Sequence, residues 1–172
     1  MKALLSLAFA STLLAGAAHA QSPFVEQKNL TTAAAEKIAK ACLAYHKSKN
    51  VLGAIVILDA GGHMIYAYKM DGANDVSFDT ARRKAETAWF FRRSTSVSAE
   101  QIRGGAANTA AWMGYLPVLG GVPILVDGGI AGAVGVGGGP APHDENCALA
   151  GFDAVGLPHP PVAGAPARPP AR

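Results

Sequence analysis

The chain has 172 residues, 50% of them hydrophobic and 16% charged, with a formal charge of +3. Of its 15 basic side chains, Lys2, Arg168 and Arg172 fall in the two ends, which leaves 12 against 12 acidic ones between them. A central region without net charge excludes nucleic acid as the expected partner, because that binding rests largely on neutralising phosphates.

In chain order, "MKALLSLAFASTLLAGAAHA" (residues 1–20) reads as a signal peptide. Lys2 gives a charged start, Ala3 to Ala18 form a short apolar run, and Ala18-His19-Ala20 is a small-x-small cleavage pattern. The run is too short for a membrane span, which needs about 20 residues, and no second apolar stretch of spanning length follows. The expectation is export to the periplasm or beyond, with a mature chain starting near Gln21. At the other end, "LPHPPVAGAPARPPAR" (residues 157–172) is rich in proline and poor in bulky apolar side chains. It reads as a disordered tail, able to dock a partner protein. Residues 21–156 between them fit one domain with one core.

"NLTTAAAEKIAKACLAYHKSKN" predicts a helix capped by Thr31 or Thr32, with Ile38, Cys42 and Tyr45 on one face. "VLGAIVILDAGGHMIYAYKMDG" changes period to two strands, broken at Asp59-Ala60-Gly61-Gly62, and so predicts a hairpin. "SFDTARRKAETAWFFRRSTS" predicts a second helix, and "SAEQIRGGAANTA" a short third. "GVPILVDGGIAGAVGV" repeats the hairpin pattern around Asp-Gly-Gly. "HDENCALAGFDAV" closes the domain as a helix with Asp144 as its N-cap. Strands joined by tight turns predict an antiparallel sheet with helices around it, an α+β layer arrangement. Cys42 and Cys147 both fall in predicted helices. Each can be a free, buried, small apolar residue, or the two can be bridged; spacing alone does not bring their Cα atoms together.

Residues 128–139 hold seven glycines. A P-loop needs a lysine, and residues 119–155 contain none. The GxGxxG pattern fails as well, since Gly135-x-Gly137 runs into Pro140 and Gly137-x-Gly139 into Pro142. The structural reading is that Ile130, Val134 and Val136 face the core while Gly132 and Gly135 admit a helix or a neighbouring subunit. Gly137-Gly138-Gly139 then permits a sharp exit to the closing helix. That helix start, near Gly138–Asp144, offers free N–H groups to an anion, the basis of an alternative reading as an accessory enzyme or binder of a small organic acid.

Three stretches in order, "ILDAGGHMIYAYKMDGA", "ARRKAETAWFFRRST" and "GGVPILVDGGIAGAVGVGGGPAPHDENCALAG", resemble the GlcG/HbpS family, which also includes the C-terminal domain of PduO-type proteins. The resemblance runs from about Leu30 to Val155. It implies a profilin-like α/β/α sandwich with a five-stranded antiparallel sheet, homo-oligomers, and haem (heme) or a related tetrapyrrole as ligand. Exported members are associated with extracellular haem. One departure is Ser94 before Thr95, where relatives often have proline.

Haem asks for an apolar slot, an optional axial ligand, and cations for its propionates. Arg82, Arg83, Lys84, Arg92 and Arg93 form the one dense basic cluster, with Trp89, Phe90 and Phe91 among them and Thr95 beside them. The alternative is an amphipathic helix with paired arginines, such as Arg82 with Glu86. His63 (cofactor binding and axial ligand), Met70 and Cys147 are candidate iron ligands; a turn residue, core filling and a buried thiol are their plainer readings. His143 reads as part of a helix cap, and His46 as a cation at a helix C-terminus. The chain has no CxxCH, HxxxH, CxxC, GxSxG or HExxH pattern, so no catalytic residue and no structural zinc site is assigned.

Overall fold

The computed structural model describes Pro23 and residues 25–105 and 114–164. The expected signal peptide, the end of the tail from residue 165, and the C-terminal part of the predicted third helix lie outside the described residues. The elements are α1 (Thr32–Ser48), β1 (Ala54–Asp59), β2 (Met64–Lys69), α2 (Ser77–Phe91), α3 (Thr95–Arg103), β3 (Gly121–Val126), β4 (Gly129–Gly137) and α4 (Ala141–Val155).

Each element follows from local chemistry. Thr31 caps α1, its hydroxyl accepting the Ala34 N–H at 3.2 Å. Ala35, Ile38, Ala39, Cys42 and His46 then recur at helical spacing and are all buried. The two hairpins pair as expected, β1 with β2 and β3 with β4, and β1 also pairs with β4, so the sheet order is β2-β1-β4-β3, antiparallel throughout. The described residues therefore hold four strands rather than five. Residues 114–120, ahead of β3, form turns and bends instead of adding a strand.

Helices cover both faces. On one, Ile55, Ile57, Val122, Ile124, Val134 and Val136 pack with α1 and α4, where Phe152 is fully buried. On the other, Ala54, Val56 and Leu58 meet Ala81 and Ala85 of α2. The alternation along β1 is the period-2 pattern of a strand covered on both sides. Cys42 and Cys147 are joined in a disulfide with Cα atoms 4.3 Å apart, which ties α1 to α4.

The glycines of β4 let α2 lie close to the sheet. A Cβ on Gly135 would collide with the Ala81 carbonyl and stand 2.8 Å from the Ala85 methyl. One on Gly137 would fall 2.6 Å from the Ser77 carbonyl oxygen. Bare backbone here gives alanine-lined α2 direct contact with β4. The close approach expected at Gly135 is thus made by a helix, and Gly137, expected to serve the exit turn, belongs to the same contact.

Beyond α4 the chain does not leave the domain at once. Leu157 packs on the core, His159 Nε2 lies 2.8 Å from Asp153 Oδ1, and the Ala163 N–H donates to Ser96 Oγ at 3.1 Å.

Candidate functional site

α1 turns a second face away from the core. Lys40, Leu43, Ala44 and Lys47 stand at i, i+3, i+4 and i+7 and so form one stripe. Opposite them, Tyr66 and Tyr68 pair with Ile57 and Ile55, residues that face α1. Between stripe and strand lies a cavity of about 530 Å³, lined also by Leu52, Met70 and Asp71. That volume is within the range of small-molecule sites, roughly 300–1,000 Å³. The wall is mostly apolar and aromatic. Lys40 and Lys47 stand about 10 Å apart along the helix axis, seven residues at the helical rise. Lys40 also meets Glu36 at 2.7 Å, and this hydrogen bond holds the ammonium pKa above its ordinary value. Both partners are well exposed, so the pair contributes little and yields readily to a bound carboxylate.

The α2 cluster is arranged differently from the expectation. Arg82 is clasped by Asp79 at 2.8 Å and by Glu86, which raises its pKa, and Arg83 meets Asp79 at 2.7 Å. The paired alternative for these arginines is the arrangement present. Trp89 donates its indole N–H to the Ala60 carbonyl at 3.0 Å and lies under the β1–β2 turn at Gly62. Thr95 is fully buried; its hydroxyl donates to the Val118 carbonyl at 2.7 Å and accepts the Gly121 N–H at 2.9 Å, a structural clasp. Phe90, Phe91, Arg92 and Arg93 remain together at the helix end. The Phe90 ring lies 4.7 Å from that of Tyr115, and Arg93 sits 5.2 Å over Phe91 while donating to Ser98 Oγ at 3.0 Å. Among the described residues, Phe90 and Arg92 of this patch are exposed.

The three iron-ligand candidates also separate. His63 is exposed on the hairpin turn, 3.5 Å from Asp59. Cys147 is spent in the disulfide and is no ligand, a correction to the expectation. Met70, 7% exposed, reaches the cavity. Among the described residues no group of three or more His, Cys, Asp or Glu gathers as a metal cluster, and no helix is long and apolar enough to cross a membrane.

A third constellation escaped the sequence reading. Lys84 and Asp144, 5% and 1% exposed, meet at 2.7 Å in the interior. Asp144 is not the N-cap of α4; Pro140 holds that position, and the Asp144 carboxylate points inward and accepts the Gly139 N–H at 3.1 Å. The chain thus places a carboxylate of its own against the loop before the helix, in the region expected to take an external acid. Burial raises the Asp144 pKa, with Lys84 and the Gly139 N–H opposing it. His46 is fully buried rather than at a solvated helix end; its Nε2 is 3.5 Å from Asp144 Oδ1, and the His143 backbone lies close to the ring. Burial lowers its pKa. The signal that could have revealed Lys84 is its spacing: it falls on the same face as Ala81, Ala85 and Ala88, which α2 buries.

The fold is that of an α+β protein with helices on both faces of an antiparallel sheet, and its relatives share it. The family described as haem degrading protein HbpS-like matches residues 30–153. The chain belongs to this GlcG/HbpS family. It is 31% identical over 128 residues to an uncharacterized 15.0 kDa protein of Citrobacter freundii, covering 72% of this chain and 90% of that one. It is 35% identical over 82 residues to protein GlcG of Escherichia coli, with 48% and 61% covered. Among solved structures, HbpS superposes with a TM-score of 0.72 at 28% identity, covering 77% of this chain and 94% of that one. A complex of PduOC with haem superposes at 0.72 and 23% identity, covering 77% and 99%, a likeness of fold.

Proposed function

We propose that this chain is an exported haem-binding, haem-sequestering protein, and that the cavity between α1 and β2 takes the tetrapyrrole. The observation that carries the reading is the cavity: an apolar, tyrosine-walled slot of about 530 Å³ with two lysines along one wall. Bound haem supplies an iron at the centre of a flat apolar ring that carries two carboxylates. The residues present fit such a group. Leu43, Leu52, Tyr66 and Tyr68 offer it apolar and aromatic surface, and Lys40 and Lys47 offer charge-assisted hydrogen bonds to two carboxylates. Met70 offers a thioether in the cavity wall. The family description and the haem complex of PduOC support the choice of ligand.

Export is supported by the N-terminal pattern and by the Cys42–Cys147 bridge, since disulfides persist mainly in oxidising compartments. Homo-oligomerisation is supported by β2, an edge strand whose Met64 and Tyr68 are 44% and 46% exposed.

Titrating haemin into the purified protein, followed by absorption, tests the reading. A saturable shift of the Soret band is expected in the micromolar range. Lys40→Ala and Lys47→Ala should each weaken binding roughly tenfold, the about 1.4 kcal/mol of one hydrogen bond to a charged group. Leu43→Glu should abolish it, and Arg92→Ala/Arg93→Ala should leave it unchanged. No saturable binding rejects the haem reading; loss in the arginine variant alone moves the site to the α2 patch.

A further inference from the structure

We infer that His46 is an acid-sensitive latch on the α1–β2 cavity, whose protonation opens the Leu52–Met70 wall and releases the bound tetrapyrrole. The inference rests on the haem-binding reading above and adds its regulation.

The imidazole is packed against Gly53, in the loop that carries the cavity residue Leu52. The loop after α1 folds over it: the Val51 N–H donates to the His46 carbonyl at 2.9 Å, and a Cβ on Gly53 would stand 3.0 Å from the ring's Cε1 and Nδ1. Between these two residues Leu52 turns its side chain into the cavity wall. The Gly53 carbonyl in turn accepts the Met70 N–H at 2.9 Å, and Met70 is the neighbouring wall. The ring thus packs against the Gly53 backbone, which is hydrogen-bonded to Met70 and adjoins Leu52, so a ring that leaves over Gly53 moves the loop that carries this part of the wall.

Charge on the ring is poorly accommodated there. Around it, α4 contributes Asp144 at 3.5 Å, the neighbouring Glu145 and His143, the last 3.4 Å from the Tyr45 hydroxyl of α1; α2 contributes Lys84. The one adjacent carboxylate is already neutralised by Lys84 at 2.7 Å. The loops at Gly53 and Gly137–Gly139 present no titratable group. The His143 backbone favours an imidazolium and Asp144 is already engaged, so burial outweighs both and a charged ring gains by turning out to water, which displaces the loop at Gly53.

The direction follows from linkage. Burial lowers the pKa of the enclosed ring below its ordinary 6.5, whereas an opened ring regains it. The closed form thus holds fewer protons, and acidification favours opening. Asp144 and Glu145, whose pKa values burial raises, act the other way, so a variant must isolate the ring's part.

Release of haemin from the full-length, disulfide-intact protein tests this. From about pH 7.5 to about pH 5.5, one unit below the free imidazole value, release should quicken about tenfold in the wild type and stay within about twofold in His46→Gln. Equal acceleration in both overturns the latch, because the pH effect then lies in haemin or in other groups. If the wild type takes up no haemin at about pH 7.5, the haem reading fails while the latch stays testable by hydrogen exchange of the ligand-free protein. The Val51 and Met70 amides, corrected for intrinsic rates, should lose protection on acidification in the wild type. Unchanged protection overturns the latch, and this measurement decides even where His46→Gln does not fold.

Discussion

Replacing Cys42 and Cys147 together with alanine is expected to lower the unfolding free energy by about 4.7 kcal/mol, read from the midpoint and slope of urea denaturation. The bridge closes a loop with a sequence separation of 105, and the chain-entropy scale assigns about 4.7 kcal/mol to a loop of about 100 residues. Loss of that constraint enlarges the unfolded ensemble, and the vacated sulfurs leave a small void between α1 and α4, so both effects have the same sign. A change below about 1 kcal/mol would mean that the α1–α4 packing holds without the bridge. The consequence for function is specific: the helix that the bridge fixes, α1, supplies four of the cavity's lining residues.

Lys84→Met is expected to cost about 3–5 kcal/mol at neutral pH, because it leaves the Asp144 carboxylate buried without its cation. The cost should depend on pH in a definite direction. Without Lys84, the Asp144 pKa rises further above its ordinary 3.8. The folded state then binds the proton more tightly than the unfolded one. The penalty is therefore full above the folded-state pKa and disappears as pH falls toward 3.8. Lys84→Met/Asp144→Leu should recover much of the loss at pH about 7, since an apolar pair of similar volume replaces a buried ion pair at little cost. Denaturation of the single and double variants across pH reads both effects. A pH-independent loss in the single variant would assign the role of Lys84 to packing alone.

These two features mark the limit of what the sequence discloses. The hairpins were legible because a strand's period and a glycine turn are local, and the α1 cap because Thr31 lies beside its helix. The alanines of α2 and Gly135 of β4 were legible as small residues, and their contact followed. The residues leave two or three strands open in the C-terminal half, and the count of five is what the family resemblance implies; the described residues hold four. Lys84 was counted into a basic cluster, yet successive helical residues turn about 100°. Arg82 and Arg83 accordingly reach surface carboxylates, Lys84 enters the core, and Arg92 and Arg93 lie past the helix end. Asp144 looked like a cap because of its position, and only the fold, which brings the start of α4 within reach of the Lys84 side chain, reveals its partner. The disulfide was open for the same reason: two helix faces distant in sequence had to meet. The cavity had no local signal at all. Lys40 and Lys47 lie on a helix and Tyr66 and Tyr68 on a strand, and only the folded sheet brings the two rows together. Of the residues expected to hold a tetrapyrrole, Met70 reaches this cavity, while Trp89 and Thr95 are engaged in the fold itself.

The most direct measurement is an amide NMR map of the protein loaded with a gallium porphyrin, a diamagnetic stand-in for haem. Shifts concentrated in residues 40–47, 52 and 66–71 are the predicted result. Shifts centred on Phe90 to Arg93 and Tyr115, with α1 and β2 undisturbed, would contradict it.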